Sequence, residues 1–137
     1  MTSPRPPMHV MAGALLDATG RVLLAQRPPG KHLAGAWEFP GGKLEPGERP
    51  LDGLARELRE ELGVVIDAAA AVPLARVPWR HDERELLLDA WCVTRWQGTP
   101  ASLDNQALRW CLPGEVEPDA LAPADRVILQ ALRALAR

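Results

Sequence analysis

The chain has 137 residues, of which 47% are hydrophobic, and a formal net charge of -2. The length and the hydrophobic fraction fit one domain with its own core, while the slightly acidic balance argues against a general nucleic-acid binder. No apolar run approaches the roughly 20 residues of a membrane-spanning helix and no signal peptide is visible. We therefore expect a cytoplasmic protein without membrane or nucleic-acid partners.

The N-terminal residues 1–8 are rich in proline and predict a disordered extension, which leaves residues 9–137 as one domain. The two cysteines, Cys92 and Cys111, lie far apart in strand-like stretches. They lack the CxxC spacing that is typical of zinc sites, so we interpret both as small buried hydrophobic residues in a reducing compartment.

The first half of the domain predicts short strands followed by one amphipathic helix. Apolar runs at residues 10–16 and 21–26 predict two strands joined by a turn, residues 27–35 a loop, and residues 37–39 a short extended segment. The spacing of apolar residues over 51–62 predicts a helix. Pro50 suits its first position, Arg49 is a poor N-cap because it offers no short oxygen acceptor, and Gly63 is a natural stop.

The second half predicts four more strands and a closing helix. The strands are expected at residues 64–66, 72–80, 84–96 and 107–111, with the second and third forming a hairpin. A helix over residues 124–135 would turn Val127, Ile128, Leu132 and Leu135 inward. Strands and helices mix without strict alternation, which indicates an α+β fold with a mixed sheet and helices on its faces.

Three glutamates crowd the end of the helix predicted over residues 51–62. Glu57, Glu60 and Glu61 are spaced i, i+3 and i+4, which places them on one face. Carboxylates there oppose the helix dipole and repel each other, so their grouping indicates a bound hard cation such as Mg²⁺. The alternative is a solvated surface face in which Arg56 and Arg59 pair with these glutamates.

The glutamates belong to a longer pattern over residues 42–64. The residues at the fixed positions of that pattern are Gly42, Glu48, Arg56, Glu57, Leu58, Glu60, Glu61, Gly63 and Val64. They match every fixed position of the Nudix box, so the chain resembles the Nudix hydrolases. The flanking segments 24–27, 37–43, 91–98 and 121–125 resemble the MutT branch. The resemblance implies a Nudix fold, in which a mixed, curved β-sheet is sandwiched between α-helices.

The resemblance also implies roles for the box residues. The ligands of Mg²⁺, or of Mn²⁺ in its place, would be the Gly41 carbonyl, Glu57, Glu60 and Glu61. Of these, Glu57 and Glu60 would be catalytic. Glu48 and Arg56 would orient this metal site. Asp104 falls where the MutT branch has an acidic residue and would bind a further ion or help to deprotonate water; the alternative is an ordinary loop aspartate.

Substrate contacts are implied around the glycine turn. Arg27 and Lys43 would face phosphate, and Gly42 would let phosphate approach the backbone closely. Phe39 would stack on the nucleobase, which adds binding without base selection; the alternative is a core residue. His32 is a further candidate, although an exposed loop histidine is the simpler interpretation.

The resemblance assigns base selection to Arg84 and Asp125. The MutT branch has asparagine where this chain has Asp125, and an ionised aspartate can only accept hydrogen bonds. It would suit an N–H donor, which 8-oxoguanine and cytosine both present, or donate to a guanine carbonyl if burial keeps it protonated. The alternative is that Asp125 caps the last helix.

The resemblance favours a magnesium-dependent pyrophosphohydrolase that converts a nucleoside triphosphate, preferably 8-oxo-dGTP, to the monophosphate and pyrophosphate and so cleans the nucleotide pool. Residues 105–111 and 121–125 resemble a CTP pyrophosphohydrolase at least as well, so CTP or a modified dCTP is the second hypothesis. A catalytically silent nucleotide-binding module is the third, although no box glutamate is missing. We expect a monomer or a weak dimer.

Overall fold

The computed structural model of the protein describes residues 6–81 and 83–135, with the side chain of His81 excluded. Within these ranges the strands are β1 Met8–Leu15, β2 Val22–Gln26, β3 Trp37–Glu38, β4 Gly41–Lys43, β5 Val65–Ile66, β6 Val72–His81, β7 Arg84–Val93, β8 Trp96–Gln97 and β9 Leu108–Cys111. The α-helices are α1 Pro50–Leu62 and α2 Asp125–Leu135. In this described part, no helix is long and apolar enough to cross a membrane.

The largest sheet has four strands in the order β4-β1-β7-β6. The central pair, β1 and β7, is parallel, whereas β4 and β6 pair antiparallel at the two edges, so the sheet is mixed as the sequence predicts. A second sheet has the order β3-β2-β9, and β5 pairs with β8 in a two-stranded ribbon. The hairpin predicted around residues 81–83 is formed by β6 and β7.

Alternating residues of β1 divide the core between the two helices. Met11 and Leu15 belong to the cluster against α1, and Ala12 and Ala14 belong to the cluster against α2. The helix residues in these clusters are Leu54, Leu58 and Leu62 of α1 and Ile128, Leu129 and Leu132 of α2. Successive strand side chains point to opposite faces, so the helices cover opposite faces of the sheet, and the predicted α+β sandwich is confirmed.

The boundaries of α1 follow from its terminal residues. The helix begins at Pro50 as predicted, and Arg49 precedes it with extended dihedral angles and without a side-chain capping hydrogen bond. Gly63 ends the helix in the left-handed region at φ 73°, and its N–H donates to the Arg59 carbonyl. Glycine adopts this conformation without the steric cost that a side chain would bring.

We expect Arg49→Thr to raise the free energy of unfolding by about 0.5–1 kcal/mol, because a threonine hydroxyl would accept a hydrogen bond from a free N–H of the first helical turn. Thermal or denaturant unfolding of the two proteins measures the difference. An unchanged or lower melting temperature would contradict this account of the helix start.

The closing helix α2 agrees with the prediction only in part, since Ile128 and Leu132 are the predicted inward residues that are buried. Its buried residues are Asp125, Ile128, Leu129 and Leu132. Val127 and Leu135, which the sequence places inward, are exposed instead. The four buried positions follow the i, i+3, i+4, i+7 spacing of one helical face, whereas Val127 is rotated by about 100° from its neighbour Ile128.

Two predicted boundaries and one predicted burial also change. β1 begins at Met8, which pairs with Leu86, although the sequence places residue 8 in the disordered extension; residues 1–5 of that extension lie outside the described residues. β7 ends at Val93 rather than at residue 96, because Trp96 pairs with Ile66 in the β5–β8 ribbon. Cys92 is buried as predicted, whereas Cys111 is only partly buried.

Candidate active site

Arg56 of α1 gathers acidic residues from before and along the helix. Its Nε and Nη2 atoms donate to both carboxylate oxygens of Glu48 at 2.8 and 3.0 Å. Its Nη1 atom donates to Glu57 at 3.0 Å and to Glu60 at 3.4 Å, and Nη2 also donates to the Lys43 carbonyl at 3.1 Å. This planar fork ties the segment before the helix to the helix face that carries the glutamates.

The alternative interpretation, a solvated salt-bridge face, agrees with the structure in part, because Arg56 pairs with Glu57 and Glu60, but two of the carboxylates are not solvated. The side chains of Glu48 and Glu57 are only 15% and 17% exposed, although that of Glu60 is 60% exposed. The hydrogen bond from Arg56 lowers the pKa of Glu48 to about 2, so Glu48 is ionised at neutral pH. Burial raises the pKa of Glu57, and the nearby charge of Arg56 opposes that rise.

Glu61 is a half-buried carboxylate beside other acidic side chains. Burial, followed by the charges of Glu57, Glu38 and Asp104, raises its pKa to about 8. Its Oε2 atom accepts a hydrogen bond from the Gly41 N–H at 3.2 Å, which opposes the rise. Two neighbouring half-buried carboxylates with raised pKa values form a place where a cation would be stabilised.

The glycine pair opposite α1 leaves no space for a side chain. A Cβ atom on Gly42 would lie 2.4 Å from the Glu57 carboxylate carbon. A Cβ atom on Gly41 would lie 1.9 Å from the Met11 carbonyl oxygen of β1. The backbone of β4 therefore lies against the glutamates on one side and against β1 on the other, and the absence of side chains at this turn permits the close approach.

The loop before β9 brings Asp104 to the same end of α1. The Leu103 N–H donates to the Glu61 carbonyl at 2.9 Å, and the Ala101 N–H donates to the Leu62 carbonyl at 3.1 Å. These two bonds fasten the loop to carbonyls that the end of a helix leaves without partners. Asp104 is exposed, yet its charge contributes to the raised pKa of Glu61.

The donor chemistry of this cluster fits a divalent cation that prefers oxygen ligands. Glu57, Glu60, Glu61 and Asp104 offer carboxylate oxygens, which Mg²⁺ and Mn²⁺ accept. In residues 6–81 and 83–135, however, no three acidic, histidine or cysteine side chains are already grouped as metal ligands. Arg56 engages Glu57 and Glu60 instead.

A cleft of about 350 Å³ extends from this cluster across the sheet. Its lining comprises Val10, Met11, Ala12, Arg27, Pro28, Lys31, Glu38, Phe39, Gly41, Gly42, Glu61, Leu86, Leu88, Asp104, Gln106, Ala122, Ala124 and Asp125. The cleft thus has an acidic end, formed by Glu61, Asp104 and the glycine pair, and a more apolar end between β7 and the start of α2.

Phe39 and Asp125 are joined at the apolar end of the cleft. The Phe39 N–H donates to Asp125 Oδ2 at 2.8 Å, and both residues are buried. Burial raises the pKa of Asp125 to about 7, while the bond from Phe39 opposes that rise. Asp125 is the first residue of α2, but its carboxylate accepts from the Phe39 N–H, which does not support the alternative interpretation that Asp125 caps this helix.

The comparison with known proteins decides the family. The model of the NUDIX domain matches residues 6–132. The chain belongs to the Nudix hydrolase family. A CTP pyrophosphohydrolase of Escherichia coli (strain K12) is 43% identical over 128 residues, which cover 93% of this chain and 93% of the relative. An 8-oxo-dGTP diphosphatase of Proteus vulgaris is 42% identical over 90 residues, covering 66% of this chain and 79% of the relative.

A solved structure gives the same result for the fold. The MutT Nudix hydrolase from Burkholderia pseudomallei has a TM-score of 0.81 with this protein, covering 93% of this chain and 98% of that chain at 26% sequence identity. The resemblance to the Nudix hydrolases is thereby confirmed. Nudix hydrolases generally need a divalent metal ion, which agrees with the oxygen donors gathered on α1.

The lining of the Nudix cleft contains seven of the fourteen site residues implied by the sequence. Four of the others, Glu48, Arg56, Glu57 and Glu60, lie before or along α1 outside this lining. Lys43 lies outside the lining with an exposed side chain, and its backbone carbonyl accepts from Arg56. His32 is exposed and also lies outside the lining; its carbonyl accepts from Arg27 Nε at 2.6 Å. Arg84 lies at the start of β7, on the face shared with Leu86 by strand alternation, beyond the lining of the cleft.

Three polar residues that line the Nudix cleft were not singled out by the sequence. The Glu38 carboxylate accepts a hydrogen bond from Arg27 Nη1 at 2.9 Å. Burial is the main cause of the raised pKa values of Glu61 and Asp125, and the negative charge of Glu38 raises both further. Lys31 and Gln106 line the cleft from the loops before β3 and β9. A signal for Glu38 exists, since it alternates with Trp37 and Phe39, but the loop positions carry no periodicity that would reveal them.

Proposed function

We propose that the protein is a magnesium-dependent nucleoside triphosphate pyrophosphohydrolase, with 8-oxo-dGTP as its favoured substrate and a nucleoside monophosphate and pyrophosphate as products. The observation that carries the proposal is Glu61, which lines one end of the cleft beside the glycine turn and next to half-buried Glu57, while Phe39 and Asp125 line the other end. The acidic end suits a cation with phosphates, and the apolar end suits a base.

The box residues divide into ligands and supports in this proposal. The ligands of Mg²⁺, which Mn²⁺ can replace, are the Gly41 carbonyl, Glu57, Glu60 and Glu61, with Asp104 at a further ion or at the attacking water. When bound, such an ion neutralises phosphate charge and activates a water. Arg56 holds Glu57 in place, and Glu48 holds Arg56 through its two short bonds; both are positioning residues.

In this proposal, the apolar end of the cleft, with Phe39 and Asp125, binds the base and selects between the two candidate substrates. Phe39 supports stacking on any base, and Asp125 supports selection because it lines the cleft and the Phe39 N–H occupies only its Oδ2 atom. An ionised Asp125 accepts from the N–H of an oxidised guanine or the amine of cytosine, and a protonated one donates to a guanine carbonyl. The Proteus vulgaris relative that acts on 8-oxo-dGTP supports the favoured substrate.

CTP or a modified dCTP is the second candidate substrate. The observation in its favour is the Escherichia coli CTP pyrophosphohydrolase, which matches this chain at 43% identity over 93% of both proteins. A pocket that accepts hydrogen bonds through a carboxylate suits the exocyclic amine of cytosine as well as it suits N7–H of 8-oxoguanine.

The decisive experiment compares kcat/KM for 8-oxo-dGTP, dGTP, CTP and 5-methyl-dCTP with magnesium, and identifies the products by phosphorus NMR. We expect pyrophosphate and a nucleoside monophosphate, with 8-oxo-dGTP preferred. A preference for CTP or 5-methyl-dCTP would select the second candidate. Orthophosphate as the product, or no turnover of any nucleotide, would overturn the pyrophosphohydrolase proposal.

We expect Asp125→Asn to stabilise the fold above about pH 7 and to leave it unchanged below about pH 4. Burial raises the pKa of Asp125 from 3.8 to about 7, so between these values the folded protein holds a proton that the unfolded chain releases. The free energy of unfolding of the wild type therefore falls as pH rises through this window. The amide does not titrate, and its oxygen still accepts from Phe39. The difference, on the order of 1–3 kcal/mol near neutral pH, is measured by denaturant unfolding at several pH values.

The matched control for this prediction is Asp119→Asn, which changes an exposed aspartate of a short 3₁₀ turn and should give the same small difference at every pH. A difference between Asp125→Asn and wild type that does not change with pH would show that Asp125 has the same proton occupancy in the folded and unfolded states.

Asp125→Asn should also alter the order of kcat/KM values among the four nucleotides. An unaltered order would show that Asp125 does not select the base.

The remaining expectations belong to the same proposal. We infer a single domain acting on a small nucleotide in the cytoplasm, as a monomer or weak dimer and without a nucleic-acid partner. Support for the single domain comes from the match of the family model to residues 6–132. Size-exclusion chromatography with light scattering measures the oligomeric state.

A further inference from the structure

The cleft is acidic, although the proposed substrate is a highly charged anion. Its lining contains four carboxyl groups, from Glu38, Glu61, Asp104 and Asp125, and only two cationic side chains, from Arg27 and Lys31. Cations at the glutamate end would offset part of this charge. The phosphates also need positive side chains of the protein, and both cationic side chains of the lining come from the wall formed by the loop between β2 and β3.

The Arg27 guanidinium already makes hydrogen bonds within the protein. Its Nη1 atom donates to the Glu38 carboxylate at 2.9 Å, and its Nε atom donates to the His32 carbonyl at 2.6 Å. Both side chains of the Arg27–Glu38 pair are about one quarter exposed, at 28% and 24%. The guanidinium therefore braces the loop and neutralises Glu38, and little of its charge remains for a substrate.

Lys31 is the other cationic residue of the lining, and its side chain makes no ion pair with any residue of 6–81 or 83–135. Its backbone is nevertheless held in place. The Ala34 N–H donates to the Lys31 carbonyl at 3.1 Å, and the Gln26 side chain donates to the Gly35 carbonyl at 3.0 Å. A fixed backbone with an unpaired ammonium group is suited to binding an incoming anion.

We propose that Lys31 contacts the phosphates of the substrate and supplies the positive charge of the loop wall, in place of the lysine and histidine that the sequence suggested. The proposal rests on the proposed function, since it takes a nucleoside triphosphate as the substrate. Lys43 and His32 lie outside the lining of the cleft, whereas Lys31 lies in it. An ammonium group on a four-carbon stem can follow the phosphates as a point charge without a fixed geometry.

This assignment predicts a defined kinetic effect. A charge that contacts the phosphates before and during the reaction stabilises bound substrate and transition state alike, so its loss raises KM and leaves kcat nearly unchanged. We expect Lys31→Met to raise KM for the triphosphate about five- to twentyfold at low salt, Lys31→Arg to restore most of the affinity, and the difference to shrink as salt screens the contact.

The kinetic test compares wild type, Lys31→Met, Lys31→Arg and Lys43→Met with the best triphosphate of the nucleotide panel. The control is Arg21→Gln, which removes an exposed positive charge from the turn between β1 and β2, outside the cleft. A KM of Lys31→Met within twofold of the control, or an effect confined to Lys43→Met, overturns the proposal. If wild type releases no pyrophosphate from any triphosphate, the proposed function fails instead.

A second test needs no turnover, and it uses the fact that the sequence contains only two lysines, Lys31 and Lys43. Pyridoxal 5′-phosphate condenses with a lysine amine, and borohydride reduction fixes the adduct as a secondary amine that peptide mass spectrometry locates. With magnesium and a non-hydrolysable triphosphate analogue present, we expect labelling of Lys31 to fall at least about fivefold while labelling of Lys43 stays constant. Equal labelling of Lys31 with and without the analogue overturns the proposal, whether or not the enzyme is active.

Discussion

Glu57→Gln should lower kcat for nucleotide hydrolysis by about a thousandfold while the fold is retained. The change removes one negative charge from the half-buried pair Glu57 and Glu61 and keeps the size of the side chain, and its amide oxygen can still accept from Arg56. Because burial raises the pKa of Glu57, the charge is unfavourable for folding, and its removal should not lower the melting temperature. Initial rates at saturating magnesium and a thermal melt measure both effects.

The control for this substitution is Glu85→Gln, which removes a charge of the same kind from the surface of the β6–β7 hairpin, where Glu85 pairs with Arg80 at 3.3 Å. Its rate should match that of wild type. A loss below tenfold in Glu57→Gln would mean that the α1 carboxylates do not hold the catalytic ion.

Gly42→Ala should abolish most activity through a single methyl group. The new Cβ would lie 2.4 Å from the Glu57 carboxylate carbon and 2.6 Å from each of its oxygens. The end of a flexible side chain can move aside, so the fold should survive while Glu57 leaves its position. Misplacing a catalytic group by about 1 Å costs about a hundredfold in rate, and we expect a fall of at least that size in kcat/KM with a melting temperature within about 3 °C of wild type.

Gly41→Ala is the comparison that distinguishes displacement of the Glu57 side chain from a general loss of stability caused by any side chain at the glycine turn. There the new Cβ would lie 1.9 Å from the Met11 carbonyl oxygen and 2.7 Å from its carbon, and these backbone atoms of β1 cannot move aside. We expect a fall in melting temperature of more than about 10 °C, together with lost activity. Wild-type activity in Gly42→Ala, or a comparable loss of stability in both variants, would contradict the steric account.

The parts of the protein with strong local signals could be predicted from the sequence. The helix α1 has an apolar stripe, proline at its first position and glycine at its end, so its bounds follow from local chemistry alone. The spacing of Glu57, Glu60 and Glu61 places them on one face without tertiary information. The mixed character of the sheet also followed, because strands and helices do not alternate strictly.

The cleft could be predicted less well, because its walls come from loops and distant segments. The pairing of Phe39 with Asp125 joins residues that are 86 positions apart, and no local pattern records it. Which basic side chains of the loop at residues 27–36 line the cleft depends on turn geometry, and the lining contains Lys31 but not His32. The inward face of α2 was predicted only in part, with Ile128 and Leu132 buried as expected and Val127 exposed. Val127 and Ile128 are both apolar, and only packing against the sheet decides which of them is buried.

Titration calorimetry of Mg²⁺, repeated with Mn²⁺, tests the central claim that the glutamates of α1 gather a divalent ion. The protein is titrated alone and with a non-hydrolysable triphosphate analogue, with Glu57→Gln as the comparison. We expect saturable uptake of metal by wild type in the presence of the analogue and at least about tenfold weaker uptake by the variant. No uptake of either ion under either condition, or equal uptake by the variant, would contradict the account.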